Sequence, residues 1–217
     1  MSKLYSAAEL AYREVKELIL SGALPGGELI SEGEIATRMG SSRTPVREAF
    51  LRLEAEGWMR LYPKRGALIV PVADGEAEHV VDARLLVETH AVEAIARNPR
   101  ARDVLVLTLR ENLDRQRELI VSGGDAAQFS VLDADFHRAL VRAGGNPLLE
   151  TFYDGLRERQ RRMTARSLAR DPEQISKIVD DHARLTDLVA AGDADGFASA
   201  VRRHMREVHA LSEGGRR

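Results

Sequence analysis

Glu34-Ile-Ala-Thr-Arg-Met-Gly-Ser-Ser-Arg-Thr-Pro-Val-Arg-Glu-Ala-Phe-Leu-Arg-Leu-Glu-Ala-Glu-Gly57 reads as two short helices joined by a tight turn at Met39-Gly40. The second helix opens with hydroxyls and spaced arginines. Ser42 and Thr44 are placed to cap its start, where free backbone amides and the helix dipole favour a phosphate. Pro45 suits the first helical turn, because its missing N–H has no partner there. Arg43 and Arg47 stand four apart and so share a face. Each guanidinium fork matches O6 and N7 of guanine in the major groove, a contact worth about 1–3 kcal/mol of discrimination. The layout is that of a DNA-reading helix-turn-helix.

Upstream, Leu10, Val15, Leu18 and Ile19 recur at helical spacing until Ser21-Gly22, and Leu24-Pro-Gly-Gly27 turns the chain. The spacing predicts helices ending near residue 21, over Ser31–Met39 and over Thr44–Glu56. Downstream, Leu61-Tyr62 and Ala67-Leu-Ile-Val70 flank Pro63-Lys-Arg-Gly66, a short hairpin with a basic tip that completes a winged helix. Trp58 reads as packing for that hairpin rather than as a base-stacking ring. Arg38, Ser42, Thr44, Arg52, Lys64, Arg65 and the wing-tip Gly66 are the candidate phosphate contacts beside Arg43 and Arg47, because most protein–DNA hydrogen bonds fix register on the backbone.

The formal net charge of −2 looks wrong for a nucleic-acid binder until it is resolved along the chain. Residues 38–65 hold seven basic groups against three acids, whereas residues 71–217 hold 22 against 25. Phosphate neutralisation depends on local density, so a basic reading head sits on a mildly acidic remainder. The chain has no cysteine, which excludes disulfides and thiolate metal sites and fits a reducing compartment. No stretch resembles a membrane span or a signal peptide, so a cytoplasmic location is expected, with no membrane partner.

Pro71-Val-Ala-Asp74 marks a boundary, with Asp74 as the expected N-cap of the next helix. Helices are predicted near Gly75–Arg97, Arg102–Ser122, Ala126–Ala143, Pro147–Leu168, Pro172–Ala191 and Ala194–Leu211. Asp125, Asn146, Asp171 and Asp193 sit where N-caps belong. Short turns between six amphipathic helices make an antiparallel bundle. The predicted fold is mainly α: a winged helix-turn-helix over residues 1–72, an all-α six-helix bundle over 73–213, and a disordered tail at 214–217.

Asp133 and His137 lie four apart on one helix, about 6 Å in rise, which aligns two ligands. His182 and His204 fall about ten and twelve residues either side of the turn Ala190-Ala-Gly-Asp193, so an antiparallel pair brings them level. A carboxylate and three imidazoles suit a divalent transition metal, Zn²⁺ first and Mn²⁺, Ni²⁺ or Fe²⁺ as alternatives. Spacing alone leaves open that these are packing residues. His79 and His90 are too far apart for one ion, and His209 lies about 140° around from His204, so all three read as surface or packing residues. Asp135 points away from Asp133 and reads as solvated. Arg84 and Glu88 have the spacing of an exposed helix pair worth a few tenths of a kcal/mol. The run Arg157, Arg159, Arg161, Arg162 reads as a solvated face, with one member turned inward as the alternative.

Residues 41–57, together with Ser21-Gly-Ala-Leu-Pro-Gly26, resemble the GntR family of bacterial transcription regulators. Arg84-Leu-Leu-Val-Glu88, Leu132-Asp-Ala-Asp-Phe-His137, Gly145-Asn-Pro-Leu-Leu149, Asp181-His182 and the segment 192–204 resemble the all-helical FCD domain of its FadR-type branch. Gly33 departs from the pattern where relatives often carry a longer polar or basic side chain, and Phe50 stands for the usual leucine. The resemblance implies a homodimeric regulator, in the first instance a repressor, on a palindromic operator. It implies that Asp133, His137, His182 and His204 are metal ligands and that Arg84 holds the carboxylate of a small organic acid effector. A metal-dependent enzyme is the competing reading, but no residue stands at an obvious spacing for a general base. A bundle that only dimerises the heads, with structural metal or none, is the third.

Overall fold

The computed structural model describes residues 5–211 of the 217. The predicted tail at 214–217 lies outside them. The chain divides into two compact units, Met1–Ala73 and Asp74–Arg217.

In the first unit α1 (Ala7–Leu20) begins at Ser6, whose Oγ accepts from the Glu9 amide, and buries Ala11, Val15 and Ile19 along one stripe. After the turn comes β1 (Leu29–Ile30), a strand too short for period-2 alternation to reveal. α2 (Glu32–Arg38) starts on a capping box: Glu34 N donates to Ser31 Oγ at 3.1 Å and Ser31 N donates to Glu34 Oε2 at 2.7 Å. α3 (Arg43–Ala55) packs Val46, Ala49, Phe50 and Leu53 against α1 and α2. Ser42 is its N-cap by backbone conformation, but its side chain makes no cap bond, and Thr44 lies already inside the helix. The expected hydroxyl capping is therefore absent, which leaves both hydroxyls outward.

β2 (Met59–Tyr62) and β3 (Gly66–Ile69) form the wing, and the antiparallel sheet runs in the order β1-β3-β2. The turn closes with Arg65 N donating to Tyr62 O, and Lys64 takes φ 62° at the position where such turns want glycine. Gly66 has φ 102°, and a Cβ there would stand 2.3 Å from Ile30 O, so only glycine lets β3 meet β1. Trp58 is buried with this core, as expected of a packing residue.

The second unit is all helix among the described residues: α4 (Glu76–Ala96), α5 (Pro99–Val121), α6 (Ala126–Ala143), α7 (Pro147–Arg170), α8 (Gln174–Ala191) and α9 (Ala194–Val208). α5 starts three residues earlier than predicted, because Asn98 accepts from the Ala101 amide and Pro99 occupies the first turn. Asp125, Asn146 and Asp193 cap as predicted, Asp125 in a capping box with Gln128. Two expected caps differ. Gly75, at φ 79°, rather than Asp74 precedes α4, and Glu173 rather than Asp171 precedes α8, Asp171 instead ending α7.

The core of this unit runs through Leu109, Phe129, Phe136, Leu140, Leu168, Ile178, Phe197 and Val201. α6 packs on α4, α5 and α7, and α9 packs on α4 and α8. α4 and α6 come close where Gly144, at the end of α6, meets Ala91: a Cβ on Gly144 would stand 2.8 Å from that of Ala91. No described helix is long and apolar enough to cross a membrane.

Candidate functional site

α6, α8 and α9 bring Asp133, His137, His182 and His204 together in the bundle interior. One ligand atom from each lies within 4.8 Å of all the others, and all four residues are buried. The three imidazole centroids are 5.0–5.5 Å apart. What orients them is a set of acceptors on the outer nitrogens. His137 Nδ1 lies 2.7 Å from Glu88 Oε2, His182 Nδ1 3.0 Å from Gln116 Oε1, and His204 Nδ1 3.1 Å from Asp181 Oδ2. An acceptor at Nδ1 places the proton there and leaves the Nε2 lone pair for a cation.

Gln116 is itself fixed, because its amide donates to Asn112 Oδ1 at 2.6 Å and Asn112 donates to Leu132 O at 3.1 Å. Asp133 Oδ2 accepts from Gln160 Nε2 and Thr164 Oγ1, while Oδ1 lies 3.5 Å from His182 Nε2. Phe136 stacks on His182 with centroids 4.1 Å apart, which fixes the ring plane.

The donor set fits a divalent transition metal on its own chemistry. Among the described residues, Nε2 of His137 and Nε2 of His182 are buried without a hydrogen-bond partner, an arrangement that costs about 1–3 kcal/mol per group unless something satisfies it. Burial, and after it the Arg84 charge, holds the His137 pKa well below the ordinary imidazole value. Burial and then the neighbouring His204 do the same for His182. Both rings are thus neutral and available as ligands at neutral pH.

Arg84 is not an exposed helix pair with Glu88; both are buried, with Nε donating to Glu88 Oε1 at 3.0 Å. Tyr153 Oη donates to the same oxygen at 2.5 Å. Arg84 Nη2 is buried without a protein partner. Burial opposes its charge, but Tyr153, Glu88 and Asp133 hold the guanidinium pKa above the usual arginine value. A permanently charged donor with a free face in an interior suits a carboxylate.

His209 is half-buried, within the expected surface or packing role. Its Nδ1 lies 3.5 Å from Ser167 Oγ, and burial, then the charges of Arg84 and His204, push its pKa down to about 3. α9 ends at Val208, so helical rotation from His204 does not describe residue 209. His79 and His90 are exposed. Asp135 is ion-paired with Arg157 at 2.5 Å rather than free in solvent. Of the arginine run on α7, Arg161 is the buried member.

In the first unit Arg38, Ser42, Arg43, Thr44, Arg47, Lys64 and Arg65 are exposed. Arg43, Arg47, Lys64 and Arg65 line one groove between the start of α3 and the wing. Arg47 Nε stands 4.0 Å from Glu32 Oε1, and the Arg43 guanidinium folds over Gly33, where a Cβ would be 3.3 Å from Nη2. Arg52 faces the other way. It stacks 3.5 Å over the Tyr12 ring and pairs with Glu9 and Glu56, because nine residues from Arg43 is half a turn around the helix. Its expected phosphate role is corrected to bracing α3 on α1. Gly66 is likewise explained by its approach to Ile30.

The polar residues behind the ligands were not foreseen. Gln116, Tyr153, Gln160 and Thr164 lie on buried helix faces, and a polar residue recurring in an apolar stripe is the signal that identifies them. Asp181 adjoins the ligand His182 in sequence, but its partner on α9 requires the tertiary packing.

Comparison with known proteins gives two family matches. Residues 7–69 match the bacterial regulatory proteins of the gntR family, and residues 79–207 match the FCD domain. An HTH-type transcriptional regulator in an unstable DNA locus of Streptomyces ambofaciens is 32% identical over 203 residues, covering 91% of this chain and 81% of the relative. The gluconate operon transcriptional repressor of Bacillus subtilis is 28% identical, covering 84% and 74%. Among solved structures, a GntR transcriptional regulator from Rhodococcus sp. RHA1 superposes with a TM-score of 0.77 at 19% identity, over 98% of this chain and all of that one, a likeness of fold.

Proposed function

The chain belongs to the GntR family of bacterial transcription regulators, in the branch that carries an FCD domain, and on that premise we propose that it is a metal-containing repressor controlled by a small organic acid. Its relatives are regulators of transcription and not enzymes.

In this reading Arg43 and Arg47 read base edges in the major groove. Ser42, Thr44, Arg38, Lys64 and Arg65 hold phosphates. The protein acts in the cytoplasm as a homodimer, which presents two identical reading helices to a palindrome. Asp133, His137, His182 and His204 would hold a divalent metal, Zn²⁺ first, with Mn²⁺, Ni²⁺ or Fe²⁺ as alternatives. When bound, the ion would supply Lewis acidity toward an oxygen of the effector. Arg84 Nη2 would donate to the effector carboxylate. An effector alters operator affinity only by favouring one arrangement of the protein over another, so differential contact with Arg84 and the ligand helices is what it must supply.

The observation that carries the reading is the buried cluster of Asp133, His137, His182 and His204, in which Nε2 of His137 and of His182 lack a hydrogen-bond partner, in a chain that also carries a basic reading head. Metal analysis of protein purified without an affinity tag, wild type against His182→Ala, tests the centre; a wild type without metal refutes it. Binding to DNA upstream of the protein's own gene, wild type against Arg47→Ala, tests base reading; equal binding refutes that role. Two relatives named gluconate operon repressors put sugar acids first in a thermal-shift screen with metal present.

A further inference from the structure

Glu88 lies between the two halves of the proposed effector site. Its Oε2 meets His137 Nδ1 at 2.7 Å, and its Oε1 takes Arg84 Nε at 3.0 Å and Tyr153 Oη at 2.5 Å. All four residues are buried, so water does not share these bonds. Each oxygen of the carboxylate therefore serves a different site: one the metal ligand, the other the anion-binding arginine.

We propose that Glu88 is the positioning residue that couples metal occupancy to acid recognition, a role that rests on the metal-and-acid site proposed for this domain. A carboxylate accepts on both oxygens, so it holds the His137 proton on Nδ1, with Nε2 free to ligate, and aims Arg84 at the same time. A charge drawn toward His137 Nε2 strengthens the Nδ1–H donor, and the shared carboxylate transmits that change to the Arg84 Nε–H. By reciprocity an anion that pulls on Arg84 is felt at His137. Among the described residues, the other two side chains on the outer nitrogens hydrogen-bond no cation: Gln116 leads to Asn112, and Asp181 is partly open to solvent.

Glu88→Gln separates these functions. With its oxygen kept by Arg84 and Tyr153, the amide turns its NH₂ toward His137, which forces the other tautomer and puts a proton on the ligating nitrogen. The probe is Zn²⁺ alone, titrated against a chromophoric chelator, with the Arg84 Nε–H signal monitored by ¹⁵N NMR and assigned by its loss in Arg84→Lys. The wild type is expected to bind Zn²⁺ and to shift the Arg84 signal on loading. Glu88→Gln is expected to bind about 10–100-fold more weakly, with an Arg84 signal that no longer responds at saturation. If that variant does not fold, Glu88→Asp keeps the charge but cannot span both partners, and the same two losses are expected. A wild type that binds no Zn²⁺ overturns the metal reading and this inference with it. A wild type that binds Zn²⁺ while Arg84 stays silent, or a folded Glu88 variant with wild-type affinity and response, overturns the coupling alone.

Discussion

Asp181 Oδ2 accepts from His204 Nδ1 at 3.1 Å, although Asp181 adjoins His182 on α8 and His204 belongs to α9. Successive residues of one helix thus serve two different imidazoles, His182 through its own ring and Asp181 by orienting its neighbour's. Asp181→Ala is expected to weaken Zn²⁺ about 10–100-fold, and Asp181→Asn less, because the amide oxygen still accepts. Chelator competition at neutral pH measures both.

Metal removal should destabilise the second unit selectively. A ligand held at a hundred times its dissociation constant adds about 2.7 kcal/mol, which for a chain of this size raises Tm by about 5–10 °C. Thermal melts of wild type with and without a chelator check this. His182→Ala is expected to melt at one temperature in both.

The metal-free protein should lose stability in acid. Burial holds the folded-state pKa values of His137, His182 and His209 below the unfolded value, that of His209 at about 3. Below about pH 6.5 the unfolded chain takes up protons that the folded one refuses, so stability is full above that pH and falls below it. Each histidine adds a slope of up to about 1.4 kcal/mol per pH unit, continuing for His209 down to about pH 3. Urea melts from neutral pH down to about pH 5 show the trend, and His209→Asn should remove one increment.

On DNA, Arg47→Ala and Lys64→Ala should fail differently. Loss of a base contact costs about 1–3 kcal/mol and relaxes preference at one position. Loss of a phosphate contact weakens all sequences alike and lowers the salt slope by about 0.9. Anisotropy titrations of operator and scrambled duplexes across a salt series distinguish them.

Gly33→Ala should stabilise the first unit by up to about 1 kcal/mol through helix propensity, since Gly33 has an ordinary negative φ. The same Cβ presses on Arg43 Nη2, so the end of the arginine side chain must give slightly. A rise in Tm together with an altered base preference in a randomised-duplex selection is the expected result.

The helices and the Asp/His cluster were legible because their signals are local or periodic: Asp133 and His137 share a face by arithmetic, and the turn at Gly192-Asp193 folds His182 back toward His204. Arg52 was misplaced because charge alone does not say which face a residue occupies, and its half-turn offset from Arg43 was the missing step. Arg84 and Glu88 show the opposite limit. Their spacing is identical to that of a solvated pair, and only the packing of α6 and α7 over them turns it into a buried junction. The caps at Gly75 and Glu173 were missed for the same local reason, since an aspartate near a helix start looks like a cap whether or not the backbone uses it.

α4 meets α6 closely at Ala91 and Gly144, about one turn beyond Glu88 and about two turns beyond His137. Enlarging either small residue is expected to push the helices apart here, and so to lengthen the reach from the Glu88 carboxylate to the His137 imidazole while leaving both residues in place. Variation at these two positions is therefore expected to alter the Glu88–His137 bond from outside the histidine cluster.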